Sequence, residues 1–229
     1  MGWGVTPPAF RPGTFAGAGL ACVRGDRLVF RGLGFTLAPG DALVLGGPNG
    51  SGKSSLLRLM AGLLVPAAGT LTWDGVPVDA DREAQRARIG YLGHLDALKP
   101  ALTVRETLTL HARLHGGHAD VAAALAALGV AALVDRPCRF LSAGQRRRVA
   151  LARLLVAPAP LWLLDEPTVG LDEAGLAAFR AAAAAHRRAG GAIVAATHAA
   201  LGLADAATVT PADFAPTADD VSDLIEAVA

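Results

Sequence analysis

Three stretches of the chain are apolar without a break: "DALVLGG" (41–47), "LWLLDE" (161–166) and "AIVAATH" (192–198). A strand with one wet face alternates, so continuous runs predict strands buried on both faces of a parallel sheet. Each run is followed by a helix signal, which is the α/β alternation of a doubly wound fold. Shorter β-type runs at 20–23, 27–30 and 33–37, with turn residues between them, predict a small antiparallel β element ahead of that core. Residues 95–156 read as helical. Thr103 and Glu106 make a capping box for a helix ending at Gly116 and Gly117, and residues 119–128 form another that stops at Gly129. In "LSAGQRRRVALARLL" (141–155), Ser142 and Gln145 make a second capping box. A further helix over 173–189 is halted by Gly190 and Gly191. In the tail, Val221, Leu224, Ile225 and Val228 share one helical face. The organisation expected is a flexible arm at 1–19, one domain over 20–210 with a helical subdomain at 95–156, and a tail at 211–229.

Composition narrows the function classes. The chain has 229 residues, 52% of them apolar, enough for a sizeable core. Its 21 basic and 20 acidic residues leave a formal charge of +1, which gives no electrostatic reason to expect a nucleic-acid partner. Cys22 and Cys138 lie far apart and share no metal-ligand spacing, so a reducing cytoplasm fits better than a disulfide framework. The purest apolar stretch, 121–134, is short of the roughly 20 residues a membrane helix needs. The start lacks the pattern of a secretory signal. Met1, Gly2 and Thr6 match a myristoylation pattern, but a loose Pro- and Gly-containing arm is the simpler account.

The chemistry-bearing residues follow the apolar runs. "GGPNGSGKSS" (46–55) holds Gly47, four residues, then Gly52, Lys53 and Ser54, the full P-loop pattern between a buried strand and a helix. The backbone of Gly47, Pro48, Asn49, Gly50, Ser51, Gly52, Lys53, Ser54 and Ser55 wraps the phosphates of a nucleotide, with N–H groups from every residue but Pro48. Lys53 reaches the β- and γ-phosphates, and the Ser54 hydroxyl ligates Mg2+. The second run delivers Asp165 and Glu166 to the C-terminal edge of the sheet, where open α/β sheets bind ligands. Asp165 is placed to hold the metal, and Glu166 to orient or deprotonate the attacking water. His198 ends the third run and meets the γ-phosphate if the three strands are neighbours. The bared N–H groups at the Ser142 helix start are a second anion-seeking feature in a chain that already has one.

In this order and spacing, "GPNGSGKSS", "LSAGQRRRVALARLL", "LWLLDEPTVGLD" and "ATH" resemble the nucleotide-binding subunit of an ATP-binding cassette (ABC) transporter, over residues 20–210. The resemblance implies a P-loop NTPase core of RecA-like type, with the antiparallel β element and helical insert, that binds ATP and Mg2+ and hydrolyses ATP. It implies transmembrane partner subunits, a second copy of the ATPase, contact with the membrane only through those partners, and a place on the cytoplasmic side of the inner membrane. It also accounts for the second anion site: two subunits stack head to tail, so Ser142, Gly144 and Gln145 face the nucleotide of the partner, and Asp172 in "TVGLD" lies on the loop crossing the pair. His198 matches the switch histidine. Ala143 replaces the commoner Gly, Arg24 stands where an aromatic residue usually stacks on adenine, and His94 stands where a Gln usually senses Mg2+. An imidazole changes charge in a pH range where an amide does not, so His94 implies coupling that fails on mild acidification. "CVRGDRLVFRGLGFTL" and "YLGHLDALKPALTVRETLTLHARLHG" look most like the ATP-binding subunits of bacterial cytochrome c maturation systems, which implies haem export or release of a charged haem chaperone.

His111, His115 and His118 carry a metal or haem reading, but no carboxylate or Cys completes a set, and a solvated helix face accounts for them. Arg146, Arg147 and Arg148 read as a solvated, partly packed helix surface. A DNA-repair or chromosome-maintenance ATPase of related type needs a long coiled coil, and no sustained heptad run exists here. A two-cassette translation factor needs a second P-loop. Another ABC importer or exporter and a nucleotide-gated scaffold without turnover stay as alternatives.

Overall fold

The computed structural model describes residues 10–116 and 120–217. The patterns at Met1, Gly2 and Thr6, at His118, and at 221–228 lie outside them. Phe15–Arg24 (β1) and Arg27–Leu37 (β2) pair antiparallel across a two-residue turn in which Gly25 has φ 60°. That positive φ is what a tight hairpin demands at its first turn position. Ala42–Leu45 (β3) leads through a Gly-rich loop into Lys53–Met60 (α1). The chain returns to the antiparallel sheet as Ala68–Trp73 (β4) and Val76–Pro77 (β5), giving the order β2-β1-β4-β5. At one point β1 and β4 touch through backbone alone: a Cβ on Gly69 would lie 2.4 Å from the carbonyl of Gly19.

Arg82–Ala87 (α2) precedes Ile89–Leu92 (β6). Val104–Leu114 (α3), Val121–Ala127 (α4) and Ala143–Val156 (α5) make up the helical part, with 3-10 turns at Ala131–Leu133 and Cys138–Phe140. Residues 95–103 are not helical, so the first helix of the subdomain begins at Val104, about two and a half turns later than its predicted edge. Both capping boxes form as read, at Thr103–Glu106 and Ser142–Gln145. Leu161–Asp165 (β7), Glu173–Arg188 (α6), Ala192–Ala196 (β8) and Ala207–Val209 (β9) complete the core.

The second sheet runs β6-β7-β8-β3-β9, parallel throughout. Every residue of β7 and β8 is buried, as their unbroken apolar runs require. Alternate residues split between two cores. Leu161, Leu163, Val194 and Ala196 join α1 and the antiparallel sheet, whereas Trp162, Leu164, Ile193 and Ala195 join α3, α5 and α6. No helix among the described residues is long and apolar enough to cross a membrane.

The N-terminal segment differs from expectation. β1 begins at Phe15, fully buried, rather than at residue 20, and the Thr14 N–H donates to Asp74 Oδ1 at 2.8 Å. The Phe10 ring lies 5.5 Å from that of His186. Residues 10–19 are thus tied down rather than loose. Strand pairing on both sides of β1 holds a Gly- and Ala-rich run whose own β propensity is low.

Candidate nucleotide-binding and hydrolytic site

Register alone gathers the site. Leu45 pairs with Ala196, Ala196 with Asp165, and Leu92 with Leu164, so β3, β8, β7 and β6 end in one row. Whatever follows those strands meets at one edge: the P-loop after β3, His198 after β8, Glu166 after β7, and Gly93 and His94 after β6.

The P-loop is shaped by its glycines. Gly47, Gly50 and Gly52 have φ values of 104°, 80° and 100°, where an L side chain is strained. A Cβ on Gly52 would also lie 2.8 Å from Val29 Cγ1. Gly52 stands at the N-cap of α1 and offers no side chain, which leaves the first helical N–H groups for an anion. Lys53 is buried, and its ammonium donates to the carbonyls of Gly47 (2.7 Å) and Pro48 (2.8 Å). It also lies 3.3 Å from His198 Nε2, which is 2.9 Å from Asn49 Oδ1. A single ring nitrogen either accepts from Lys53 or donates to Asn49, so the two contacts compete for one tautomer.

Glu166 is held in an unusual backbone state, φ 48°, with its N–H donating to Ala196 O at 2.8 Å. Its Oε2 accepts from Thr197 Oγ1 at 3.2 Å, and its Oε1 lies 3.9 Å from His198 Nε2. Carboxylate, imidazole and ammonium are therefore neighbours around the same opening. Asp165, 7% exposed, ends β7 beside them. Burial, and then the Asp165 charge, push the Tyr91 hydroxyl above its ordinary value. A hydroxyl at Ser54 and a carboxylate at Asp165 suit Mg2+, which keeps several waters and takes few protein oxygens. His94 is exposed in the turn after β6, at the same edge.

Arg24 is exposed at the end of β1. Burial pushes the nearby Cys22 thiol up, while the Arg24 charge and a hydrogen bond with the Ser55 hydroxyl of α1 act against it. Ser55 is half-buried. On α5, the Ser142 Oγ accepts from Gln145 N (3.3 Å) and Gln145 Oε1 accepts from Ser142 N (3.0 Å), with Ser142 and Ala143 exposed. Gly144 is required by a close approach, since its Cβ would lie 2.8 Å from Gly170 O. Asp172 caps α6 through Gly175 N (2.8 Å) and pairs with Arg148; those two contacts, the backbone one first, hold its carboxyl below the usual range.

Sequence reasoning missed two participants. Thr197 was passed over as a neighbour of more obvious residues, and Asn49, expected on the phosphates, also meets His198. Arg147, read as surface, is 4% exposed and bonded to the ends of β6 and β7. Its only signal was its place two residues past a capping box. Away from this edge, His111 and His115 line a cavity of about 220 Å³ with Tyr91 and Arg153. Their ring centroids lie 4.2 Å apart with the planes tilted by 39°, and His115 Nδ1 is 2.9 Å from His111 O. Burial, then the charges of Arg153 and His115, hold His111 down to about 3. No cluster of three or more His, Cys, Asp or Glu among the described residues is placed to hold a metal.

The model of the family described as ABC transporter matches residues 30–169. The chain belongs to that family, as an ATP-binding subunit with the ATPase fold and activity of its class. Family membership implies transmembrane partner subunits. Among curated relatives, it is 55% identical over 206 residues to the cytochrome c biogenesis ATP-binding export protein CcmA of Rhodospirillum rubrum, spanning 90% of this chain and 88% of that one. To the protein of the same name from Paramagnetospirillum magneticum it is 55% identical over 191 residues, spanning 81% and 88%. Among solved structures, cbiO1 of Clostridium perfringens, part of the ABC transporter complex cbiONQ, superposes with a TM-score of 0.70 at 28% identity, covering 82% of this chain and 80% of that one. An ABC transporter ATP-binding protein of Pyrococcus furiosus reaches 0.78 at 22% identity, covering 89% and 100%, a likeness of fold.

Proposed function

We propose that this chain is the ATP-hydrolysing subunit of a membrane complex of cytochrome c biogenesis, driving haem export or release of a haem-charged chaperone on the far side of the inner membrane. The cargo reading rests on the relatives named above. The hydrolytic reading rests on one observation in this chain: Lys53, Glu166 and His198 converge around the opening of the P-loop, within 3.3 and 3.9 Å of one imidazole.

Two copies work as a pair. ATP lies along the P-loop of one, with Lys53 and the N–H groups of Gly50 to Ser55 on its phosphates. The exposed N-terminus of α5 on the other copy adds Ser142, Gly144 and Gln145 to the γ-phosphate. Those contacts exist only when the pair is closed, so ATP shifts the equilibrium toward closure by differential binding. Ser54 and Asp165 would hold Mg2+, which would supply positive charge to the phosphates. Arg24 stacks on the base through its guanidinium plane. Glu166 polarises the attacking water, and His198 bonds the γ-phosphate and keeps Glu166 aligned. Loss of that phosphate removes the α5 contacts, and the subunits part. His94, on the loop after β6, reports the metal site to the membrane subunits.

Glu166→Gln tests the reading. It keeps shape and removes the base, so turnover is expected to fall roughly 10²- to 10⁴-fold while ATP binding persists and closed dimers accumulate on a sizing column. Normal turnover in that variant would remove Glu166 from the role.

A further inference from the structure

Arg147 spends every proton it has. Nε donates to Pro167 O (3.1 Å), Nη1 to Gly93 O (3.2 Å) and Asp96 Oδ1 (3.0 Å), and Nη2 to Asp165 O (2.8 Å) and Glu166 O (2.5 Å). The guanidinium is 5% exposed. A buried cation is tolerated only where its donors are satisfied. A Lys offers three donors from one point and cannot span these acceptors.

The acceptors belong to two segments, at the ends of the neighbouring strands β6 and β7. Gly93 and Asp96 bracket His94 in the loop after β6. Asp165, Glu166 and Pro167 are the end of β7. Glu166 occupies a left-handed backbone state that costs a non-Gly residue about 1–3 kcal/mol and persists only when its surroundings over-determine it. Three bonds do so here: its N–H donates to Ala196 O, and its C=O accepts from Arg147 Nη2 and, at 3.3 Å, from the Val169 N–H. The direction of its carboxylate therefore depends on where Arg147 stands.

We propose that Arg147 is a positioning residue for hydrolysis, fixing the Glu166 backbone in its left-handed turn and making that alignment conditional on the 93–96 loop and on α5. Ser142 and Arg147 are five residues apart on one helix, about one and a half turns. Motion of α5 as its N-terminus meets the nucleotide of the second copy thus reaches Glu166 of its own copy. Motion of the 93–96 loop withdraws the acceptors of Nη1 and frees the fork to turn. The inference rests on Glu166 being the hydrolytic carboxylate.

The test is steady-state ATP turnover by the full chain in its assembled complex, for Arg147→Lys, Arg147→Gln, Asp96→Asn and the double variants, with Glu166→Gln alongside. Arg147→Lys is expected to lower kcat on the order of 10²-fold with KM for ATP and nucleotide affinity unchanged. Asp96→Asn, which weakens one bond of five, is expected to lower kcat about 10-fold, and its penalty should vanish once Arg147 is replaced. Unchanged kcat in folded Arg147→Lys, a loss confined to KM, or penalties that simply multiply would each overturn the proposal. If the Arg147 variants do not fold, Asp96→Asn decides alone, and normal kcat there is fatal. Full turnover in Glu166→Gln would instead sink the underlying reading, whereas its loss with intact Arg147 variants would sink only this one.

Discussion

A methyl group at position 52 has nowhere to go, since its place is taken by Val29 and the backbone there is left-handed. Gly52→Ala is expected to lower ATP affinity at least 10-fold and to destabilise the fold by about 1–3 kcal/mol, measured by titration calorimetry and thermal melting. That glycine was legible in the sequence because a motif of fixed spacing names it. Asp165 and Glu166 were legible for a different reason, the apolar run that delivers them to a strand end. Arg147 was not. It stands in a run of three arginines, and only tertiary structure separates its environment from that of Arg146, which donates to Leu141 O, or Arg148, which pairs with Asp172. Glu166 was readable as a carboxylate at a strand end but not as a left-handed residue, because nothing local demands it.

Among the elements, those with long or continuous patterns were readable and the short ones were not. β3, β7 and β8 appear as apolar runs, and α3 and α5 announce themselves by their caps. β6 is four residues with a glycine inside, β9 is three, and α2 has Gln85 as its one buried side chain, so none carries a period. Packing between elements also sets acid stability. His186 on α6 stacks on Trp162 of β7 at 4.0 Å, with Nε2 3.3 Å from Ala192 O. Burial takes its pKa from the ordinary 6.5 to about 4, against the opposing effect of backbone bonds at Ala192 and Pro160. The folded chain therefore refuses a proton that the unfolded chain accepts. Stability is full above pH 6.5 and falls toward pH 4, at up to about 1.4 kcal/mol per unit from this one ring. His186→Phe, similar in shape and without the charge, should flatten that limb in a series of urea titrations between pH 7 and 4. An unchanged slope would show that the ring is not what sets it. At the start of α5, Ser142→Ala should cost about 1 kcal/mol of stability, seen as a lower urea midpoint with unchanged m.

At the scale of the molecule, the two cores on either side of the parallel sheet hold one copy together, while the exposed Ser142 turn is the part that the proposed function assigns to a second copy. Ser142→Arg should leave ATP binding to the P-loop intact by fluorescence titration and abolish ATP-driven dimerisation on a sizing column. Undiminished dimers would place the second phosphate contact elsewhere. The parallel core and its ligand-binding edge followed from the apolar runs. The pairing of two copies came from resemblance, because a helix start that serves a neighbour looks the same in sequence as one that serves its own chain.

That outward turn has a consequence for inheritance. In the proposed pair each polypeptide lends its α5 start to its companion, so a faulty copy spoils a pocket that a sound copy supplies with a P-loop. A cell carrying both forms should behave as though the damaged allele were dominant, and overproducing the Ser142→Arg chain beside the normal one should poison cytochrome assembly rather than merely fail to support it.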